Sequence, residues 1–163
     1  MAGTGSKLLV GCGVVIGGIV GLLMLVGLAI EGGFVPDANA LPKGKLHPRV
    51  ITQLRELGII EADEEVQFFY SSALFSIEAD GNLFTDQRAI SYQTTDEELE
   101  LYSATFEEIA NLEFHQSDTW VDDSTIIVTK EDGEWFALIV STGAQGDELF
   151  FKLLEETWRS HRN

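Results

Sequence analysis

From Leu8 to Ile30 the chain runs 23 residues without a charge, bounded by Lys7 and Glu31. The only departures from large apolar side chains there are Gly, Ala and one Cys, and they fall on every side of a helix, so the segment lacks the polar face that a water-soluble helix keeps. At a rise of ~1.5 Å per residue a helix of this length crosses a ~30 Å hydrocarbon core with some tilt. The pattern predicts a transmembrane helix over 8–30. Ala38-Asn39-Ala40 has the small-x-small form of a signal-peptidase site, but the apolar run is too long for a signal peptide and Pro42 stands just beyond the cut. Leu9-Val10-Gly11-Cys12 has the form of a lipobox, yet only Leu8, Leu9 and Val10 separate Lys7 from Gly11, which is no h-region.

Within the span, Gly13, Gly17 and Gly21 recur at intervals of four, leaving a stripe without side chains that Gly18 widens. Another helix could approach closely there, as a second copy or as a partner's span. The N-terminal side carries the α-amine and Lys7, whereas Lys43, Lys45 and Arg49 follow the span, a margin that places the C-terminal domain in the cytoplasm.

Beyond the span the period changes twice. Residues 31–45 hold three glycines and two prolines without periodicity, and read as an extended linker. Leu46, Val50, Ile51, Leu54 and Leu57 follow helical spacing up to Gly58, predicting an amphipathic helix over His47 to Leu57 whose apolar face packs on the domain that follows. From Val66 onward aromatic and β-branched runs alternate with turn signals. Val66 to Tyr70 and Ala73 to Ile77 read as a long or broken first strand, with Asp80-Gly81 as a hairpin turn. Further strands are predicted over Asn82 to Thr85, Arg88 to Tyr92, Leu99 to Ala104, Ile109 to His115, Thr125 to Thr129 and Glu134 to Val140, with Asp132-Gly133 turning the last hairpin. Phe150, Leu153, Leu154, Thr157 and Trp158 return to helical spacing, with Asp147 as cap and Arg159 and Arg162 near the end. The expected fold is mainly β with α: a transmembrane helix over 8–30, a linker over 31–45, and a soluble domain over 46–163 with a leading helix, about seven antiparallel strands and a C-terminal helix closing the barrel. A sheet with a helix laid across an open cleft is the rival architecture.

Charge narrows the partners. Of 27 acidic and 10 basic residues, only Glu31, Asp37 and Lys7 precede residue 40, so the later part carries 25 against 9. Nucleic acid and anionic lipid are both repelled by such a domain. Cys12 is the single cysteine, which rules out an intramolecular disulfide and a cysteine-built zinc site.

Gly81-Asn82-Leu83-Phe84-Thr85-Asp86-Gln87-Arg88-Ala89-Ile90-Ser91-Tyr92 resembles the signature of PH-like and GRAM-type domains, in which a glycine and an apolar pair precede Thr-Asp/Asn-x-Arg and a strand. The Phe106 to Ile109 stretch between strands and a final helix with a late Trp158 are similar to that family as well. The likeness covers about residues 59–162. It implies a PH-like fold of the bacterial membrane-associated kind, a binding role without catalysis, and a C-terminal helix that plugs the barrel with Trp158 as a buried aromatic. It does not bring phosphoinositide binding, because Ser71-Ser72 and Glu78-Ala79-Asp80 offer no basic cluster. From the residues themselves, Thr85 and Asp86 begin a turn and Arg88 pairs locally, a structural role.

No residue stands out as catalytic. His47, His115 and His161 are scattered and lack HExxH spacing, Asp122-Asp123-Ser124 lacks the glycine and distant glutamate of a calcium loop, and no phosphate-cradling or dinucleotide-binding glycine motif occurs. The acidic runs Glu61 to Glu65 and Asp96 to Glu100 read as solvated turns. No catalytic, cofactor-binding or metal residue is assigned. Two functions follow: a membrane-tethered module that binds a protein partner or self-associates, and an accessory subunit of a membrane complex working through Gly13, Gly17 and Gly21.

Overall fold

A computed structural model describes residues 40–73, 76–96, 98–119 and 122–162. The span over 8–30, its glycines and linker residues 31–39 lie outside these. Among the described residues no helix is long and apolar enough to cross a membrane.

Among the described residues eight antiparallel strands form two sheets. The first contains β1 (Leu41–Pro42), β2 (Val66–Tyr70), β3 (Asp80–Thr85), β4 (Arg88–Thr95) and β5 (Glu98–Thr105) in that order; the second contains β6 (Ile109–His115), β7 (Ser124–Lys130) and β8 (Trp135–Val140). Helix α1 (Pro48–Glu56) precedes β2, and α2 (Gly146–His161) follows β8. The seven longer strands fall where strand periodicity places them, while β1 is formed by residues read as linker, Leu41 and Pro42 pairing with Phe69 and Phe68.

The first sheet is apolar on both faces. On its outer face Val66, Phe69, Leu83, Ile90 and Tyr92 pack with Val50 and Leu54 of α1 and with Ile59, Ile60 and Ile77. The expected packing of the leading helix is thereby met. His47 caps it, its Nδ1 accepting from the Arg49 N–H at 3.2 Å, and Gly58 ends it with a φ of +70°. On the inner face Phe68, Phe84, Ala89 and Ala104 meet Ile126, Val128, Phe136, Leu138 and Val140 of the second sheet and Phe150 and Leu154 of α2. Phe150 sits edge-on to both Phe68 and Phe84 at centroid separations of 5.1 Å, a favoured aromatic geometry. A helix closing the barrel, rather than lying over an open cleft, is what these contacts show.

Several expectations need correction. Asp80 and Gly81 lie within β3, not in a turn, and described residues 73 and 76–77 are irregular rather than strand. The connection is held by the Asp80 carboxylate, which accepts from Ser71 Oγ, Ser72 N and Ser72 Oγ. Asp147 lies inside α2 with Gln145 at the N-cap, and is buried because it accepts from Ser124 Oγ at 2.5 Å. Trp158 is only partly buried and lies at the rim, donating Nε1–H to the Ile109 carbonyl at 3.1 Å, so the plug is Phe150 with Leu154. Glu64 belongs to an acidic run read as solvated, yet it is only 2% exposed.

Candidate interaction site

Each sheet ends on a strand that has a single neighbour among the described residues: β5 pairs with β4 alone and β8 with β7 alone. Both lie at the same corner of the barrel. Between them runs a cleft of about 470 Å³, walled on one side by Trp135, Phe136, Ala137 and Ile139 and on the other by Tyr102, with Asn82, Ser91 and Gln93 on its floor.

Register explains its polarity. Along the inner face of the first sheet, Phe84 pairs with Ala89 in the core; one step outward Asn82, Ser91 and Tyr102 face one another, and a further step brings Asp80, Gln93 and Glu100 into line. The same face therefore passes from apolar to polar as it leaves the barrel. Ser91 Oγ donates to Asn82 Oδ1 at 2.9 Å, and Gln93 Nε2 to Glu100 Oε2 at 2.8 Å. Glu98 to Tyr102 are exposed throughout, so the tip of the β4–β5 hairpin stands out in solvent with Leu99 and Leu101 on one face and Tyr102 on the other. Across the cleft Trp135 is 65% exposed, beside the Lys130–Glu134 ion pair at 3.2 Å. Large apolar side chains at unpaired strand edges are what a self-sufficient domain normally covers or charges.

The signature residues serve the fold instead. Arg88 grips Glu64 with two charge-assisted bonds, Nε to Oε1 at 2.7 Å and Nη2 to Oε2 at 2.8 Å, a pairing 24 positions apart rather than local. Thr85 donates to Glu64 Oε1 at 3.1 Å and accepts from the Gln87 and Arg88 N–H groups, while Asp86 accepts from the Glu65 N–H at 2.8 Å. Together they tie the β3–β4 turn to the segment after α1. Burial alone pushes the Glu64 carboxyl up; the Arg88 hydrogen bond, the Glu61 N–H, the Arg88 charge and the Thr85 hydroxyl together hold it below the usual carboxylate range.

Among the described residues no group of three or more His, Cys, Asp or Glu converges on a metal site. His47 is the α1 cap, His115 is exposed 3.8 Å from Glu113, and the His161 ring lies 4.8 Å from that of Phe106. Asp123 accepts the Tyr70 hydroxyl at 2.8 Å; burial, that bond and the carboxylate's charge push the Tyr70 hydroxyl well above its ordinary value.

No protein-family model and no curated protein matches the chain. Solved structures do. A DUF1696-family protein with a pleckstrin-homology domain from Shewanella loihica PV-4 superposes with a TM-score of 0.51 at 16% identity, covering 76% of this chain and 97% of its own. The fold is PH-like. A pleckstrin-homology domain from Shewanella amazonensis SB2B gives a TM-score of 0.44 at 17% identity over 66% of this chain and 81% of its own. The C-terminal domain of an unknown protein from Leishmania infantum gives 0.39 at 16% over 68% and 94%. At such identities the likeness speaks to architecture alone. In this PH-like domain the aromatic cleft lies where the last strand of one sheet meets the last strand of the other. Sequence reading missed it because Tyr102 and Trp135 are 33 positions apart and each belongs to an ordinary strand pattern.

Proposed function

We propose that this protein is a non-catalytic interaction module: a PH-like domain of the bacterial, GRAM-type, membrane-associated kind, tethered to the cell membrane by Leu8 to Ile30 and binding a protein partner from the cytoplasmic side. The observation that carries the reading is the cleft between the edges of β5 and β8, where Trp135, Tyr102 and Ile139 are exposed beside strand backbone that has no neighbour among the described residues. Such an edge is a template for pairing with another chain. Geometry supports a partner reached at the membrane. Linker residues 31–39 extend at most ~30 Å, which keeps the domain close to the bilayer. The tether joins at β1, the opposite edge of the first sheet from β5, so about four strand spacings, ~19 Å as followed along the curled sheet, separate the point of attachment from the β5 wall of the cleft.

The glycine stripe Gly13, Gly17 and Gly21 supports a second reading, in which the span packs on a partner span and the domain is an accessory. The two are separated by photo-crosslinking in the native cells. A photoreactive residue replacing Ile139 is expected to capture a protein, while the same residue at Gln67 captures none; equal capture at both positions, or none at Ile139, refutes the cleft as the working surface.

A further inference from the structure

Charge in this domain is arranged in poles. Between Arg88 and Lys130 the chain holds ten Asp and Glu residues and no Lys or Arg, and this stretch builds β4, β5, β6 and most of β7. Lys43, Lys45, Arg49 and Arg55, by contrast, cluster where the tether joins, with Glu56 as the one acidic residue in 40–57. The cleft lies at the acidic pole. Asp80 and Glu100 stand in one cross-strand row with Gln93 along its outer floor, Glu134 lies at the Trp135 end, and the nearby cation Lys130 is already paired with Glu134.

Resting on the reading above, we infer that the occupant of the cleft is an extended, cationic segment of a partner protein, which adds a strand to the edge of β8 and places Lys or Arg side chains between Trp135, Tyr102 and Glu100. Four residues of β8 line the cleft against one of β5, so backbone pairing runs along β8 while β5 supplies the facing wall. Strand addition supplies affinity through main-chain hydrogen bonds, and alternate side chains then face one wall. Exposed indole and phenol faces attract guanidinium or ammonium groups, and carboxylates beside them add the charge-assisted bond. A second copy is a poor occupant, since the same acidic pole would meet itself. Anionic lipid and nucleic acid are repelled for the same reason.

The test is a selection of random displayed peptides on the full chain in phosphatidylcholine nanodiscs, followed by fluorescence anisotropy of the enriched peptides at low and high salt. Peptides rich in alternating Lys or Arg are expected. Their binding should weaken at least tenfold in Trp135→Ala and severalfold in Glu100→Gln, both exposed positions, and fade with salt. N-methylation of alternate peptide nitrogens should abolish binding in one register and spare it in the other. Cationic peptides that bind Trp135→Ala as well as wild type report only overall charge and overturn the site. Enriched peptides that need Trp135 but carry no cation overturn the charge assignment while leaving the interaction reading standing. Failure to enrich any peptide overturns the inference, and the crosslink from position 139 then decides the broader reading separately.

Discussion

Replacing Glu64 by Gln keeps its shape and removes its charge from a site built for a carboxylate. The side chain is 1% exposed and its two oxygens receive Arg88 Nε, Arg88 Nη2, Thr85 Oγ1 and the Glu61 N–H. A carboxamide offers one acceptor oxygen to these donors and turns its own N–H groups toward the others. Removing one partner of a buried pair costs ~3–5 kcal/mol. Arg88 is 20% exposed, so water still reaches the guanidinium and the loss should fall at the lower end, about 3 kcal/mol. At ~4 °C per kcal/mol for a domain of this size, Tm should drop by ~12 °C in a circular-dichroism melt of the full chain in detergent micelles at pH 7. The double variant Glu64→Met with Arg88→Met, which removes both charges, should recover most of that loss. A Tm for Glu64→Gln within ~2 °C of wild type, or a double variant worse than the summed singles, would refute a desolvated pair. The pH dependence has a defined sign. Because the folded carboxyl titrates below its unfolded value, its contribution is complete above about pH 4.3 and is lost as the pH falls through the folded pKa. Wild type should therefore lose Tm on acidification more steeply than Glu64→Gln.

Gly81→Ala would put a Cβ 2.5 Å from Tyr92 Oη, and the ring cannot swing away without breaking its bond to the Ile77 carbonyl at 2.6 Å; a loss of ~1–3 kcal/mol by urea unfolding is expected, and unchanged stability would disprove the close approach. Phe150→Ala removes the ring between Phe68 and Phe84 and should cost ~3–5 kcal/mol, whereas Trp158→Phe should cost only ~0.5–1 kcal/mol because Arg162 Nη1 also donates to the Ile109 carbonyl at 3.1 Å. Equal losses in the two variants would return the plug to Trp158. Gly133→Ala, at a φ of +88° in the β7–β8 turn, should lose ~1 kcal/mol or more in the same assay. Alkaline carbonate should leave the full chain in the membrane fraction; its release would refute the span over 8–30.

Periodicity carried most of the architecture. The β6 range, the turn at Gly133, the α1 face and the α2 stripe all follow from residues within one element, where local spacing and burial coincide. The expectation of a span over 8–30 likewise rests on a run of side chains and needs no tertiary context. What sequence could not decide was pairing between distant segments. Ser71, Ser72 and Asp80 each resemble turn residues, and it is pairing with Gln93 and Tyr92 of β4 that draws Asp80 and Gly81 into a strand, while the Asp80 carboxylate holds the two serines. Glu64 resembles its exposed neighbours until Arg88, 24 residues later, folds over it and makes burial of a charge tolerable. The cleft is the furthest case. An exposed Trp135 and an exposed Tyr102 acquire meaning only when two sheet edges close on one corner, and that closure depends on the barrel's tertiary packing rather than on any local pattern.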